Sequence, residues 1–277
     1  MIGVYDSGVG GLSVLRSLTE LMPDRPYIYV ADNGHGPYGE RESAHVIERA
    51  ERVTDWLVGR GIEALVVACN TATAVAVEQL RATHPELPII GVEPALKPAV
   101  GLSHTRRIGV MATRATLASS KFQRLLESLR DQAHFEIRAC DGLAMAIERC
   151  ADLDPSGQAQ SELLAELRAC AMTHLQALGP LGDKGVDVVV LGCTHYPLIR
   201  PLLQELAGPA VQLLDTGPAI ARQTHKRLGE SADAADPKGT QGPRDIELVS
   251  TGQAACLEAA ARRWVGGPLR STTLDLP

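Results

Sequence analysis

A chain of 277 residues, 45% hydrophobic and 22% charged, is long enough for one large domain or two medium ones, each with a real core. A formal net charge of −6 argues against a nucleic-acid surface as its main function, because phosphate binding needs a basic excess. A small anionic substrate stays open, since a few donors in a cleft hold a carboxylate whatever the net charge.

The chain opens Met1-Ile2-Gly3-Val4-Tyr5-Asp6, with no basic stretch leading into an apolar one, and no run of roughly eighteen apolar residues follows. Neither a secretory leader nor a membrane span is expected, and the expected location is the cytoplasm. The cysteines at 69, 140, 150, 170, 193 and 256 form no Cys-x-x-Cys pair. They read as free thiols and not as a disulfide framework or zinc site.

Taken in chain order, short apolar runs alternate with segments of helical period. Ile2–Tyr5 reads as a strand, followed by the turn Asp6-Ser7-Gly8-Val9-Gly10-Gly11 and a helix with Val14, Leu15, Leu18, Leu21 and Met22 on one face. Tyr27–Ala31 is a second strand. Ser43 can N-cap a helix carrying Val46, Ile47, Ala50, Val53, Leu57 and Val58. Strands are expected at Ala64–Ala68, Pro88–Gly91, Arg107–Met111, Phe135–Ala139, Val186–Leu191, Val211–Leu214 and Ile246–Ser250, with helical patterns between them. Such alternation predicts α/β layers around mostly parallel sheets. Composition shifts near Gly91–Pro98 and Gly208-Pro209 place the domain crossings there: a discontinuous first domain, 1–94 plus 209–277, and a second, 95–208. Glu230–Pro243, rich in Ala, Asp, Gly and Pro, reads as a mobile surface loop.

Chemistry concentrates where strands end. The turn from Asp6 to Gly11 is neither a dinucleotide fingerprint nor a P-loop, but its backbone N–H groups and the helix behind it form a candidate anion site. Asp6 itself faces the crevice in which α/β proteins bind ligands. Ala64–Thr71 and Val188–His195 echo each other, each a strand running into a cysteine and a threonine. A thiol at a strand-to-helix turn feels the helix N-terminus, so the pKa of Cys69 and Cys193 is expected to fall toward neutrality. His195, two residues after Cys193, could exchange a proton with it. Pro37-Tyr38-Gly39 marks a loop, and Thr113 and Thr116 follow a strand end, where helix capping is the plainer role.

Two mechanisms could use this set. A Cys-His pair serves covalent catalysis, but then the second cysteine goes unexplained. Inverting a stereocentre needs two acid/base groups on opposite faces of one carbon, which two thiols on two half-molecules provide.

The segments Asp6–Val14, Pro37-Tyr38-Gly39, Ala68–Thr73, Gly91–Ala95 and Leu191–Pro197 occur in an order that resembles bacterial glutamate racemase, and Leu214–Gly217 and Ser250-Thr251-Gly252 resemble its closing strands. The resemblance implies two pseudo-symmetric α/β domains facing each other across the active site, without pyridoxal phosphate or metal. It implies Cys69 acting on D-glutamate with help from Asp6, Cys193 acting on L-glutamate with help from His195, and Glu148 orienting that histidine. Asp6, Ser7, Tyr38, Gly39, Asn70, Thr71, Thr113, Thr116, Thr194 and His195 would hold the substrate. The implied role is supply of D-glutamate for peptidoglycan by a homodimer with no nucleic-acid or membrane partner. Relatives acting on aspartate, a hydantoin or a malonate, and a non-reacting amino-acid-binding protein, are the alternatives.

Overall fold

The computed structural model describes residues 1–151, 158–231, 245–267 and 269–276. Its strands are β1 (Ile2–Asp6), β2 (Tyr27–Ala31), β3 (Ala64–Val67), β4 (Ile89–Gly91), β5 (Arg107–Ala112), β6 (His134–Ala139), β7 (Val188–Gly192), β8 (Gln212–Leu214), β9 (Ile246–Ser250) and β10 (Ser271–Thr273). The helices are α1 (Leu12–Leu21), α2 (Ser43–Gly59), α3 (Asn70–Thr83), α4 (Leu96–Leu102), α5 (Arg114–Ala118), α6 (Ser120–Glu127), α7 (Leu143–Arg149), α8 (Gln158–Gln176), α9 (Arg200–Ala207), α10 (Gly217–Ser231) and α11 (Ala254–Trp264).

The strands form two parallel sheets, one in the order β10-β9-β2-β1-β3-β4 and the other in the order β6-β5-β7-β8. Parallel strands covered by helices on both faces must be apolar throughout, which is why β1, β3 and β7 read as near-continuous hydrophobic runs and are buried along their whole length. The order β2-β1-β3-β4 recurs as β6-β5-β7-β8, each strand replaced by the one four places later in the chain. By this correspondence β3, which leads into Cys69, and β7, which leads into Cys193, hold equivalent places.

Apolar packing links the two halves. The largest buried cluster joins Val9, Leu12 and Leu15 of the first half to Met111, Leu143, Ile147 and Leu191 of the second. Helix α10 returns to the first half and packs on α1. On α1, Leu12, Val14, Leu15 and Leu18 are buried while Leu21, expected on the same face, is exposed.

Three expectations need correction. Strand β8 pairs with β7, so the second sheet extends to Leu214 and residues 209–214 belong with it, not with the first domain. The Gly208-Pro209 composition shift marks only the turn between α9 and β8. Ser43 is the first residue of α2 with Glu42 at the N-cap position, and no side-chain cap bond forms there. Glu230 and Ser231 close α10, and the rest of the expected 230–243 loop lies outside the described residues. Among the described residues no helix is long and apolar enough to cross a membrane.

Candidate active site

The C-terminal ends of both sheets meet at a narrow cavity. From the first half it is lined by Ser7, Pro37, Tyr38, Gly39, Cys69, Asn70 and Thr71, and from the second by Thr113, Ala144, Cys193, Thr194 and His195. Both motif cysteines therefore border one space, each buried and each from a different sheet. Asp6, Glu148 and Thr116 lie behind this lining, reached through Thr194, His195 and Thr113 respectively. The remaining cysteines do not line it.

Cys69 is the N-cap of α3. Its sulfur accepts the Ala72 N–H at 3.5 Å and the thiol donates to Ser7 Oγ at 3.7 Å. Burial, and then the charge of Asp6, push this thiol up to about 12, outweighing the opposing pull of the Ala72 and Ser7 hydrogen bonds. The expected fall toward neutrality does not occur at Cys69, because a dry site and a nearby carboxylate overcome the helix N-terminus. The expected partnership of Asp6 with Cys69 is one of charge and not of contact.

Asp6 is fully buried and accepts from Gly8 N–H at 2.9 Å and from the Thr194 hydroxyl at 3.0 Å, the latter across the two halves. Burial raises its carboxyl to about 6, the His195 charge opposing and the Glu148 charge adding to the shift.

His195 is buried, with Nδ1 3.6 Å from Cys193 Sγ and Nε2 2.5 Å from Glu148 Oε1. Burial alone would lower its pKa. The hydrogen bonds with Cys193 and Glu148 outweigh that and lift it well above the usual imidazole value. Nδ1–H is then placed to donate to the Cys193 sulfur.

A hydroxyl chain spans the floor: Thr71 Oγ1 and Thr113 Oγ1 are 2.9 Å apart, and Thr113 donates to Thr116 Oγ1 at 2.9 Å. Thr113 also caps α5 by accepting the Thr116 N–H, so the capping role and the cavity position coincide. Asn70 Nδ2 reaches Val92 O at 3.5 Å.

Tyr38 lines the cavity, but its hydroxyl donates to Asp32, which is also held by Arg49 through Nε at 3.0 Å and Nη2 at 2.9 Å and by the Thr251 hydroxyl at 2.8 Å. That hydroxyl is thus engaged away from any ligand. Starting a short 3-10 turn, Tyr38–Glu40, it and Gly39 leave backbone N–H groups without intrahelical partners. The Asp32–Arg49 pair escaped the sequence reading. Its signal was Arg49 sitting within the Val46, Ala50, Val53 stripe of α2, where a charge must find a buried partner.

Among the described residues no group of three or more His, Cys, Asp or Glu converges in a manner suited to a metal ion.

A family model described as Asp/Glu/Hydantoin racemase matches residues 2–224. Glutamate racemase of Herpetosiphon aurantiacus is 44% identical over 254 residues, covering 92% of this chain and 93% of the relative. That of Ectopseudomonas mendocina is 40% identical over 277 residues, covering 100% and 93%. Among solved structures, a glutamate racemase isoform from Bacillus anthracis aligns with a TM-score of 0.82 at 28% identity, covering 100% of this chain and 98% of that one. Escherichia coli glutamate racemase, in complex with L-glutamate and the activator UDP-MurNAc-Ala, aligns at 0.80 with 30% identity, covering 99% and 97%. With two α/β halves of repeated strand order closing on a shared site, and a match across most of its length, the chain belongs to the Asp/Glu/Hydantoin racemase family.

Proposed function

We propose that this protein interconverts L- and D-glutamate by proton transfer at Cα between Cys69 and Cys193, supplying D-glutamate for peptidoglycan. The observation that carries the reading is the pair of thiols at equivalent strand ends of two sheets, bordering one cavity from opposite halves. The glutamate racemases named above, which share its length and fold, support the choice of substrate.

In the proposed reaction one sulfur, as thiolate, takes the Cα proton. The other, as thiol, delivers its proton to the opposite face. The two sulfurs end with exchanged protonation states, and solvent exchange or reverse turnover resets them. Burial favours the thiol form of Cys69, and the substrate ammonium supplies the positive charge that offsets Asp6 when Cys69 must act as base. On the other side the His195 imidazolium supports negative charge as it develops on Cys193. Backbone N–H groups at Tyr38 and Gly39, with Ser7, Asn70, Thr71, Thr113 and Thr194, hold the carboxylates, and a water-poor cavity strengthens each of these contacts. We extend the reading to a cytoplasmic homodimer, which light scattering on the purified protein tests.

The direct test incubates purified protein with each glutamate enantiomer in D2O. Deuterium should enter Cα as the opposite enantiomer accumulates, and activity should survive EDTA and carbonyl reagents. A protein that binds glutamate but leaves Cα–H intact, or that turns over only aspartate or a hydantoin, contradicts the proposal.

A further inference from the structure

The turn after β1 has the makings of an anion site, and in the folded protein it already holds an anion from the other half. Val9 N–H donates to Glu148 Oε1 at 2.8 Å, the same oxygen that lies 2.5 Å from His195 Nε2. Glu148 comes from α7 of the second half, 139 positions along the chain from Val9. The approach leaves no room for a side chain on this turn unless Glu148 or His195 shifts. A Cβ at Gly8 would lie 1.9 Å from Glu148 Oε1, and one at Gly10 would lie 2.4 Å from His195 Nδ1. The first half also grips the backbone beside Cys193, through Ser13 Oγ to Thr194 O at 2.9 Å. The hydrogen bonds of Cys69 are unlike these: Ser7 and Ala72 both belong to its own half.

We propose that the Gly8–Gly10 turn is a positioning element that bears chiefly on the Cys193 side. The Val9 amide, admitted by the bare Gly8 and Gly10, clamps Glu148 against His195 and so sets the acid/base competence of the opposite thiol. Closure of the two halves and readiness of Cys193 are then one event, while the direct hydrogen bonds of Cys69 form within its own half. The proposal rests on the two-thiol reading and deepens it.

The test uses glutamate analogues of each configuration bearing a leaving group at Cβ. A thiolate removes the Cα proton, the freed electron pair forms the Cα–Cβ double bond, and the leaving group departs with its bonding pair. Cys193 serves the L-configured analogue and Cys69 the D-configured one. Gly8→Ala should lower elimination from the L-configured analogue about tenfold more than from the D-configured one, a loss within the range of coupling between touching groups. In a Glu148→Asp background, where the shortened side chain vacates the space, adding Gly8→Ala should have little further effect. Equal loss on both analogues, no loss, or an undiminished effect of Gly8→Ala in the Glu148→Asp background overturns the proposal. Should Gly8→Ala alone fail to fold, the double variant decides: folding restored by Glu148→Asp supports the clamp, and a double variant that also fails contradicts it. Failure of the two-thiol reading would look different, since the parent protein would then eliminate from neither analogue or from one only.

Discussion

Cys69 and Cys193 end equivalent strands, yet their surroundings differ in kind. Around Cys69 the hydrogen-bond partners are small and local, a serine hydroxyl and a backbone amide at the mouth of α3, with a buried carboxylate nearby. Around Cys193 they are ionisable and strung across the halves, from His195 through Glu148 to the Val9 amide. No long helix begins at Cys193, which is followed by the short turn Tyr196–Ile199. The repeated strand order duplicates the positions of the two sulfurs without duplicating their electrostatics. Under the proposed mechanism the two thiols therefore work in different settings, Cys69 beside a buried carboxylate and Cys193 beside the His195 ring.

The largest expected effect comes from removing either sulfur. Cys69→Ser and Cys193→Ser should each lower racemisation about 10³-fold, within the range for loss of a positioned acid/base group. The two glutamate enantiomers have equal free energy, so kcat/KM must fall by the same factor in both directions whichever thiol is replaced. Chiral chromatography of timed reactions checks the size of the loss, and near-normal rates in either variant would remove that cysteine from the mechanism.

Next is the ion pair that braces the Cys69 half. Arg49→Met leaves the Asp32 carboxylate buried without its guanidinium and should destabilise the fold by about 3–5 kcal/mol. Urea melts read this directly, and an unchanged midpoint would show that the pair does not brace that half.

Asp6 provides a smaller effect with a defined pH dependence. Its folded value of about 6 exceeds the ordinary 3.8, so between those values the folded state binds more protons than the unfolded one and stability falls as pH rises. The loss is complete above pH 6 and absent below pH 4. A shift of this size is worth about 3 kcal/mol. The stability of Asp6→Asn relative to the parent should therefore improve by up to that amount as pH rises through the window. Parallel pH–stability curves would contradict the burial of a titrating carboxylate there.

The smallest effect tests the hydroxyl chain shared by the two halves. Thr113→Val removes one link between Thr71 and Thr116, a change of about 1 kcal/mol. It should raise KM for glutamate severalfold and alter kcat less. A fall in kcat at constant KM would move Thr113 from holding substrate to the chemistry.

That both sulfurs stand at strand ends on a shared cavity was legible in the sequence, because each follows an apolar run too short for a helix and stands beside hydroxyl and amide donors. The α/β class was legible for a similar reason: valine-rich strands buried on both faces, such as β3 and β7, advertise themselves. The placement of Glu148 rested on resemblance, since nothing local to α7 says that it touches a turn 139 positions away. The pKa of Cys69 depended on how dry its surroundings are and on the nearness of Asp6, which a one-dimensional pattern cannot supply. Strand β10 went unread because Ser271-Thr272-Thr273 is short and polar and gains its identity from pairing with β9. The crossing near residue 208 was misplaced because a Gly-Pro turn looks the same within a domain as between two.

The most direct measurement of the central claim is the enantiomer preference of Cys69→Ser and Cys193→Ser toward the Cβ leaving-group analogues, where elimination needs one proton removed and none returned. Cys69→Ser should keep elimination from the L-configured analogue and lose it from the D-configured one, and Cys193→Ser should show the reverse. Equal loss from both analogues in both variants would contradict two thiols acting on opposite faces and point to a single nucleophile with a structural second cysteine.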